Sequence, residues 1–499
     1  MFKVECWMFI SLKFLNVKQK NILEFDMDDS LRVTLQKHGQ EHLFKFFPEM
    51  NSRQHEKIHT QLREINWREL ETLISTYVLN TPENVIPPEI SPAPYFPAVP
   101  KNEEQKEKYR IALKRGSELL RKGKVAALTV AGGQGTRLGY DGPKGTFAIT
   151  PVKNKTLFQY FAEKIIRTGK KYGCPLHWFI MTGKTNDSHT REFFRKNSFF
   201  GIHPSFVHFF TQGTMPSIGM DGKLLLESKE SLSLSPNGHG GTLLALKLSG
   251  SVAQMRKVGI EYLSYFQVDN PLVSVADPLF IGLHFLEKSE MSSRMLAKTD
   301  PFEKLGNFCI SGGRLNIIEY SDMPKDLAEM TEADGRLRFI AGSPAIHVIS
   351  VDFVEKLTEG GSLNLPWHRA EKKVPCIDAD GNQITPVKPN AIKLETFIFD
   401  ALPFAGKTMI LEAKREDEFS PVKNPDGVDS AVSCVRMLVD KDVRRLEKAG
   451  ISVPKKENGT PDCVVELSPL TFLDDEDVVA YAADKGINDP ERGEKVYYA

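Results

Sequence analysis

The sequence predicts an α/β protein built on a mostly parallel mixed sheet, and three observations carry that expectation. Apolar, β-branched runs alternate with helical stretches from about Val125 to about Asp400, the pattern of strands joined by crossover helices. A glycine-rich segment, Gly132-Gly133-Gln134-Gly135, follows the first of these runs without a gap. Polar residues and glycines stand at the ends of several later runs, where sheets of this class place their ligands.

Composition narrows the class. At 499 residues, with 41% hydrophobic and 26% charged side chains, the chain reads as a globular protein of roughly two to four domains. Its 65 basic and 65 acidic residues cancel, which points away from nucleic-acid or membrane-surface partners. The cysteines at 6, 174, 309, 376, 434 and 463 are scattered without a C-x-x-C pair, as expected of reduced thiols in a cytoplasmic protein.

Taken in order, the chain divides into four stretches. The apolar segment Trp7–Val17 is interrupted by Lys13 and is too short to cross a bilayer, and Met27 makes a more ordinary start. Residues 1–26 are therefore expected to be a disordered or artefactual extension. Residues 27–100 form an N-terminal helical region followed by a proline-rich strap. Leu70, Leu73, Ile74 and Tyr77 share one helical face. Prolines 82, 87, 88, 92, 94, 97 and 100 then prevent regular helix.

Residues 101–404 are expected to form the central α/β domain. A charged helix, Lys101–Lys122, leads into strand Val125–Val130. Further strands are expected at Leu176–Thr182, Val207–Phe210, Tyr262–Val268 and Ala345–Val351, with helices such as Thr156–Tyr172 and Asp187–Lys196 between them. Residues 405–499 form a small C-terminal subdomain, with strand Met409–Ala413 and helix Ser430–Ala449. Its loop Arg415–Asn424 is expected to fold back over the active site.

The strand and turn at Val125–Thr150 carry the first functional signal. Glycines directly after a strand let the backbone approach a ligand and turn several N–H groups towards an anion. Arg137 and Lys144 add full positive charge close by, so a phosphate-rich ligand suits the loop. Gly133, Gly135 and Gly139 are spaced one residue too wide for the dinucleotide fingerprint, and no ATPase-type phosphate loop is present.

The segment Ala131-Gly-Gly-Gln-Gly-Thr-Arg-Leu-Gly-Tyr-Asp-Gly-Pro-Lys-Gly145 resembles the nucleotide-binding signature of the type-1 UDP-sugar pyrophosphorylases, and most closely the UDP-N-acetylhexosamine branch. Matching segments follow in the same order from about Leu120 to about Leu470. The resemblance implies a Rossmann-like nucleotide-diphospho-sugar transferase domain. It implies the conversion of UTP and a sugar 1-phosphate, N-acetylglucosamine 1-phosphate foremost, into a UDP-sugar and pyrophosphate. Two alternatives stay open: a glucose-type or broad-specificity uridylyltransferase, and a non-catalytic UDP-sugar-binding homologue.

The resemblance also implies roles for individual residues. Ala131, Gly132, Gly133, Gln212, Gly238, Asp269, Lys144 and Lys393 would bind UTP. Gln212, in the strand-end segment Val207-His-Phe-Phe-Thr-Gln-Gly213, offers the donor and acceptor needed to read a uracil edge. Arg137, Lys144 and Lys423 would be the catalytic cations. His239, Gly306, Glu319, Tyr320, Phe397, Phe399 and Lys423 would meet the sugar phosphate. Asp269, ending strand Tyr262–Val268, would hold Mg2+, with Mn2+ as the alternative, because a carboxylate beside a triphosphate calls for a hard cation between them.

Two positions depart from the hexosamine pattern. That branch commonly carries asparagine where His239 stands, whereas glucose-type relatives carry histidine. Ser343 and Pro344 occupy a segment where an asparagine usually helps hold the sugar. The chain is further expected to act on UTP and sugar phosphate without nucleic-acid or membrane partners, as a monomer or weak homo-oligomer. Arg137, Lys144, Asp269 and Lys423 together argue for catalysis over mere binding.

Overall fold

The computed structural model of the protein describes residues 29–80 and 89–499. The expectations for residues 1–26 and for Pro82, Pro87 and Pro88 lie outside the described residues. The described residues form two compact units: 29–80, Thr214–Ser235 and Trp367–Glu395 in the smaller, and 89–213, Pro236–Pro366 and Thr396–Ala499 in the larger.

The larger unit is organised by an eleven-stranded mixed sheet. Its strands are β1 (Ile90–Pro92), β2 (Val125–Val130), β3 (His177–Thr182), β4 (Val207–Thr211), β5 (Tyr262–Gln267), β6 (Met291–Ala297), β7 (Gly306–Ser311), β8 (Arg314–Ile318), β9 (Ala341–Ser343), β10 (His347–Ser350) and β11 (Thr408–Ala413). The order is β1-β7-β9-β6-β10-β5-β2-β3-β4, with β8 on β7 and β11 on β6. Strands β5, β2, β3 and β4 are mutually parallel, as is β11 along β6; the other ladders are antiparallel.

Strand β2 reads as a continuous apolar run because both of its faces are covered. Val125 and Ala127 join one hydrophobic cluster, Ala126 and Leu128 the other, as the twofold alternation of a strand requires. The first cluster packs beneath helices α1 (Glu103–Arg121), α2 (Leu157–Tyr172), α3 (Pro278–Leu286) and α4 (Ala431–Lys448). Thr156 caps α2 by accepting from the Gln159 N–H, and Gly173 ends it in the left-handed conformation. Trp178, fully buried, satisfies its indole N–H on Thr129 Oγ1 at 2.7 Å across the β2–β3 pair.

The proline-rich strap becomes an edge. Ile90–Pro92 pairs with β7, where a missing N–H is tolerated, and Phe96 exchanges hydrogen bonds with Ile410 and Glu412 of β11. Strand β11 therefore belongs to the main sheet. The rest of the C-terminal stretch has its own small core, including Val443, Leu446, Val465, Leu467 and Phe472.

In the smaller unit, helices Ser52–Arg63 and Trp67–Leu73 pack with three strands, His368–Lys372, Ala391–Glu395 and Ile218–Gly219. Leu35, Leu43, Leu62 and Leu70 share one core with Ile218, Leu224, Leu232, Ile392 and Leu394. The compact units thus run across the linear boundaries expected from the sequence, since the N-terminal helices bury their apolar faces on segments from the middle of the chain. Leu70 and Leu73 are buried, and the helix continues past them as a π-helical stretch, Ile74–Leu79.

Two glycines set the approach of α1 and α3. A Cβ on Gly116 would lie 1.8 Å from the Pro278 carbonyl oxygen, and one on Gly282 would lie 1.8 Å from that of Ala112. Both obstacles are backbone, so the helices must separate to admit a methyl group. Gly116→Ala and Gly282→Ala should each lower the unfolding free energy by about 2–3 kcal/mol, the cost of overpacking. Urea unfolding measures this, and wild-type stability in both variants would mean the helices part without cost.

Candidate active site

The parallel strands β5, β2, β3 and β4 end side by side, and their ends carry the polar residues. Val268 donates to the Val130 carbonyl at 3.0 Å, Ala131 to Met181 at 2.8 Å, and Gln212 to Thr182 at 2.8 Å. These bonds carry the strand register one step beyond the sheet. Asp269, the Ala131–Gly133 turn, Gly183 and Gln212 therefore line a single edge. Strand β3 lies on one side of β2 and β5 on the other, so the site sits where the strand order reverses.

The glycine turn is held from inside by Asn186, a residue the sequence reading did not single out. Its fully buried side chain donates to the carbonyls of Ala131 and Gly133 at 3.1 and 3.3 Å and accepts from the Gly183 N–H at 2.8 Å. The available signal was its place in Gly183-Lys-Thr-Asn186, a polar turn directly after β3. Lys144 N–H donates to the Gly133 carbonyl at 3.1 Å, which brings the lysine back over the turn. Its ammonium then meets Asp269 Oδ2 at 3.1 Å, with both side chains largely shielded from water. Arg137 sits on the short 3-10 turn Thr136–Leu138 with its side chain exposed.

At the other end of this edge, Gln212 is buried and its amide donates to the Gly238 carbonyl. A Cβ on Gly132 would stand 3.0 Å from Gln212 Oε1, so the glycine makes room for the amide. Gly238 adopts φ 86°, opening the second glycine turn. Gly240 is pressed against the backbone of Thr396 and Phe397, which a Cβ would meet at 2.7–2.8 Å. Glycine is required there by packing against the chain itself.

His239 is held firmly. Its Nδ1 accepts from the Ile398 N–H at 3.1 Å, its ring stacks on Phe397 at 5.2 Å, and Phe399 meets it edge-on at 5.9 Å. Next to this group lies a cavity of about 120 Å3 lined by Asp269, Asn270, Gly306, Glu319, Phe399 and Lys423, among others. Ser343, Pro344 and Ala345 line it too. Gly306 stands opposite Glu319, whose Oε1 would be 3.6 Å from a Cβ at that position. Tyr320 is 44% exposed and Phe397 lies behind Phe399; neither is among the lining residues.

The loop Arg415–Asn424 does fold back over the strand end. Val422 donates to the Asp269 carbonyl at 2.8 Å, and Lys423 reaches the cavity with its ammonium 5.7 Å from the Phe419 ring. Burial pushes the Asp429 carboxyl up; nearby Lys423 opposes that shift and Asp269 adds to it. Asp429 was not anticipated, and its left-handed φ of 58° carried no sequence signal. Lys393 belongs to the smaller unit, on strand Ala391–Glu395, where burial lowers its pKa.

A single edge thus assembles a glycine turn, two lysines, a carboxylate, an amide and an aromatic-walled cavity. Among the described residues, no helix is long and apolar enough to cross a membrane. A Dictyostelium discoideum protein named "Probable UDP-N-acetylglucosamine pyrophosphorylase" is 34% identical over 468 residues, covering 90% of this chain and 94% of its own. The human UDP-N-acetylhexosamine pyrophosphorylase-like protein 1 is 32% identical, covering 93% and 96%. In fold, the chain resembles the solved uridine diphosphate N-acetylglucosamine pyrophosphorylase of Trypanosoma brucei, with a TM-score of 0.75 at 24% identity over 95% of this chain and 98% of that one. A family model described as UTP–glucose-1-phosphate uridylyltransferase matches residues 93–479, a span that holds every strand-end group from Ala131 to Lys423, and the chain belongs to that family.

Proposed function

We propose that this chain transfers a uridylyl group from UTP to a sugar 1-phosphate, with N-acetylglucosamine 1-phosphate preferred. The observation that carries this reading is the Lys144–Asp269 pair, whose carboxylate lines the same cavity as Lys423, Glu319 and Phe399. In the reaction, a sugar-phosphate oxygen bonds to the α-phosphorus of UTP. The bond from that phosphorus to the bridging oxygen of the β-phosphate breaks, and pyrophosphate leaves with the electron pair.

The attacking oxygen is already ionised near neutral pH, so no strong general base is needed. The barrier lies in bringing one anion to another, and positioning with charge neutralisation lowers it. Lys144 and Arg137 serve the triphosphate, and Lys423 the sugar phosphate. Gly132, Gly133 and Gln212 hold the uridine, with Ala131 and Gly238 supplying backbone beside it; Lys393 is proposed as a further UTP contact. Gly306, Glu319, Tyr320, His239, Phe397 and Phe399 form the sugar side. The free cysteines at 174, 309, 376, 434 and 463 suit a reducing compartment, and we place the protein in the cytoplasm.

Among the described residues, no three His, Cys, Asp or Glu side chains gather to hold a metal alone. A single carboxylate nevertheless suits Mg2+, which keeps waters and takes oxygens from substrate phosphates. Asp269, buried at a strand end and already facing a cation, is the residue that would hold Mg2+ or Mn2+. When bound, the ion would offset the charge of the α-phosphate.

Lys144→Ala should reduce turnover at least about 100-fold, because one charge-stabilising group is typically worth roughly 3 kcal/mol in the transition state. Steady-state pyrophosphate release reads this, and a folded variant with near-wild-type turnover would remove Lys144 from the mechanism.

Asp269→Asn should abolish most activity and recover part of it at higher Mg2+, since a neutral amide is the weaker ligand. A Mg2+ titration equal to that of the wild type would make Asp269 structural.

Sugar selectivity should be shallow. One buried methyl contributes only about 1 kcal/mol, so Phe397 and Phe399 alone discriminate weakly. The ratio of kcat/KM for N-acetylglucosamine 1-phosphate over glucose 1-phosphate should favour the former while leaving glucose 1-phosphate measurable. A glucose preference above about tenfold, some 1.4 kcal/mol, would assign the chain to glucose instead. His239→Asn should move the ratio towards the N-acetyl sugar.

A further inference from the structure

The strand-end carboxylate and the lysine across the cavity come from segments 150 residues apart, yet a short set of hydrogen bonds ties those segments together. Asn270 is 3% exposed, and both atoms of its amide are used on the loop that carries Lys423. Its Nδ2 donates to the Glu418 carbonyl at 2.8 Å and its Oδ1 accepts from the Ser420 N–H at 3.0 Å. Nearby, Lys441 of α4 donates to two carbonyls, Leu272 at 3.1 Å and Asp417 at 2.6 Å. One ammonium thus bridges the chain just after Asp269 and the chain just before Lys423.

The surroundings make Lys441 hard to replace. The carbonyls of Pro271, Leu272 and Val273 lie outside helix and sheet, so they need partners from elsewhere. Lys164 of α2 takes the first and third at 2.6 and 2.9 Å, and Lys441 takes the middle one. Glu418 Oε2 accepts from the Ser274 N–H at 3.0 Å, and Arg444 donates to the Glu416 carbonyl at 2.8 Å. Burial lowers the pKa of both lysines, with Glu418 and Asp442 opposing the shift and the neighbouring cations, including Arg445, adding to it. An ammonium kept in such a place serves the geometry of what it binds.

We propose that Asn270 and Lys441 act as a clasp that fixes the loop bearing Lys423 at its working distance from Asp269, making both positioning residues for the transfer reaction. The inference rests on the uridylyl-transfer reading for its kinetic test, and on the hydrogen bonds alone for its structural one. Lys441 is not among the residues that line the cavity, and Asn270, which does line it, acts in the clasp through its bonds to the loop. Their effect is to keep the lysine that meets one phosphate in step with the carboxylate beside the other.

The test uses the full-length protein with Lys441→Met, which keeps the length of the side chain and removes its donors. In the folded variant, kcat should fall at least about tenfold while KM for UTP stays within about threefold, the split expected when a transition-state contact is misplaced. Combined with Lys423→Ala, Lys441→Met should cost less than about threefold more, because residues acting through one group are not additive. Wild-type kcat in Lys441→Met, or an equal loss in both backgrounds, would overturn the clasp. Should Lys441→Met fail to fold, Lys441→Leu carries the same cycle. Hydrogen–deuterium exchange of residues 415–424 should also rise in the variant, a readout independent of whether UTP is the substrate. Unchanged exchange there would overturn the proposal even if the function reading stands.

Discussion

The register between β2 and β5 is the constraint on which the site depends. Gln267 pairs with Val130, so the two strands end at the same level and release Asp269 and the Ala131–Gly133 turn side by side. A shift of one residue would turn Asp269 to the opposite face and separate it from Lys144. That register is set by burial, since alternate residues of β2 enter two different cores and neither can be exchanged without exposing apolar surface. The cost of building both cores thus also secures the position of the charges.

The charges themselves are arranged so that few stand alone. The side chains of Lys144 and Asp269 are only 16% and 10% exposed, conditions in which each ion alone would be expensive to bury and the pair much less so. Asn186 works on the neutral side of the same problem, satisfying the Ala131 and Gly133 carbonyls of the glycine turn. The lysine and asparagine bonds around Pro271–Ser274 extend this satisfaction of backbone groups to the far wall.

The aromatic group beside the cavity is built differently, from packing. His239, Phe397 and Phe399 form one aromatic group, and the Ile398 N–H pins the imidazole through Nδ1. The ring is therefore oriented by its neighbours, and of the three aromatic residues Phe399 lines the cavity. A departure that the sequence marks only as a changed residue type becomes a question of shape, because replacing this ring alters what Phe397 and Phe399 rest on.

What the sequence determined by itself was local. The glycine turn after Val125–Val130, a helix at Thr156–Tyr172, the strand ends at Gln212 and Asp269 and the α/β class all follow from short-range pattern, because propensity and burial periodicity act within a few turns of chain. Family resemblance added names for residues that pattern alone would have left as turns. Tertiary structure decided the rest. It drew residues 214–235 and 367–395 into one unit with the N-terminal helices, placed β11 in the main sheet, and brought Lys144 to Asp269 across 125 residues. It also revealed Asn186, Asp429 and Lys441, whose roles depend on carbonyls and charges supplied by distant segments. No local pattern encodes such partners, since a buried polar group is defined by what surrounds it once the chain has closed.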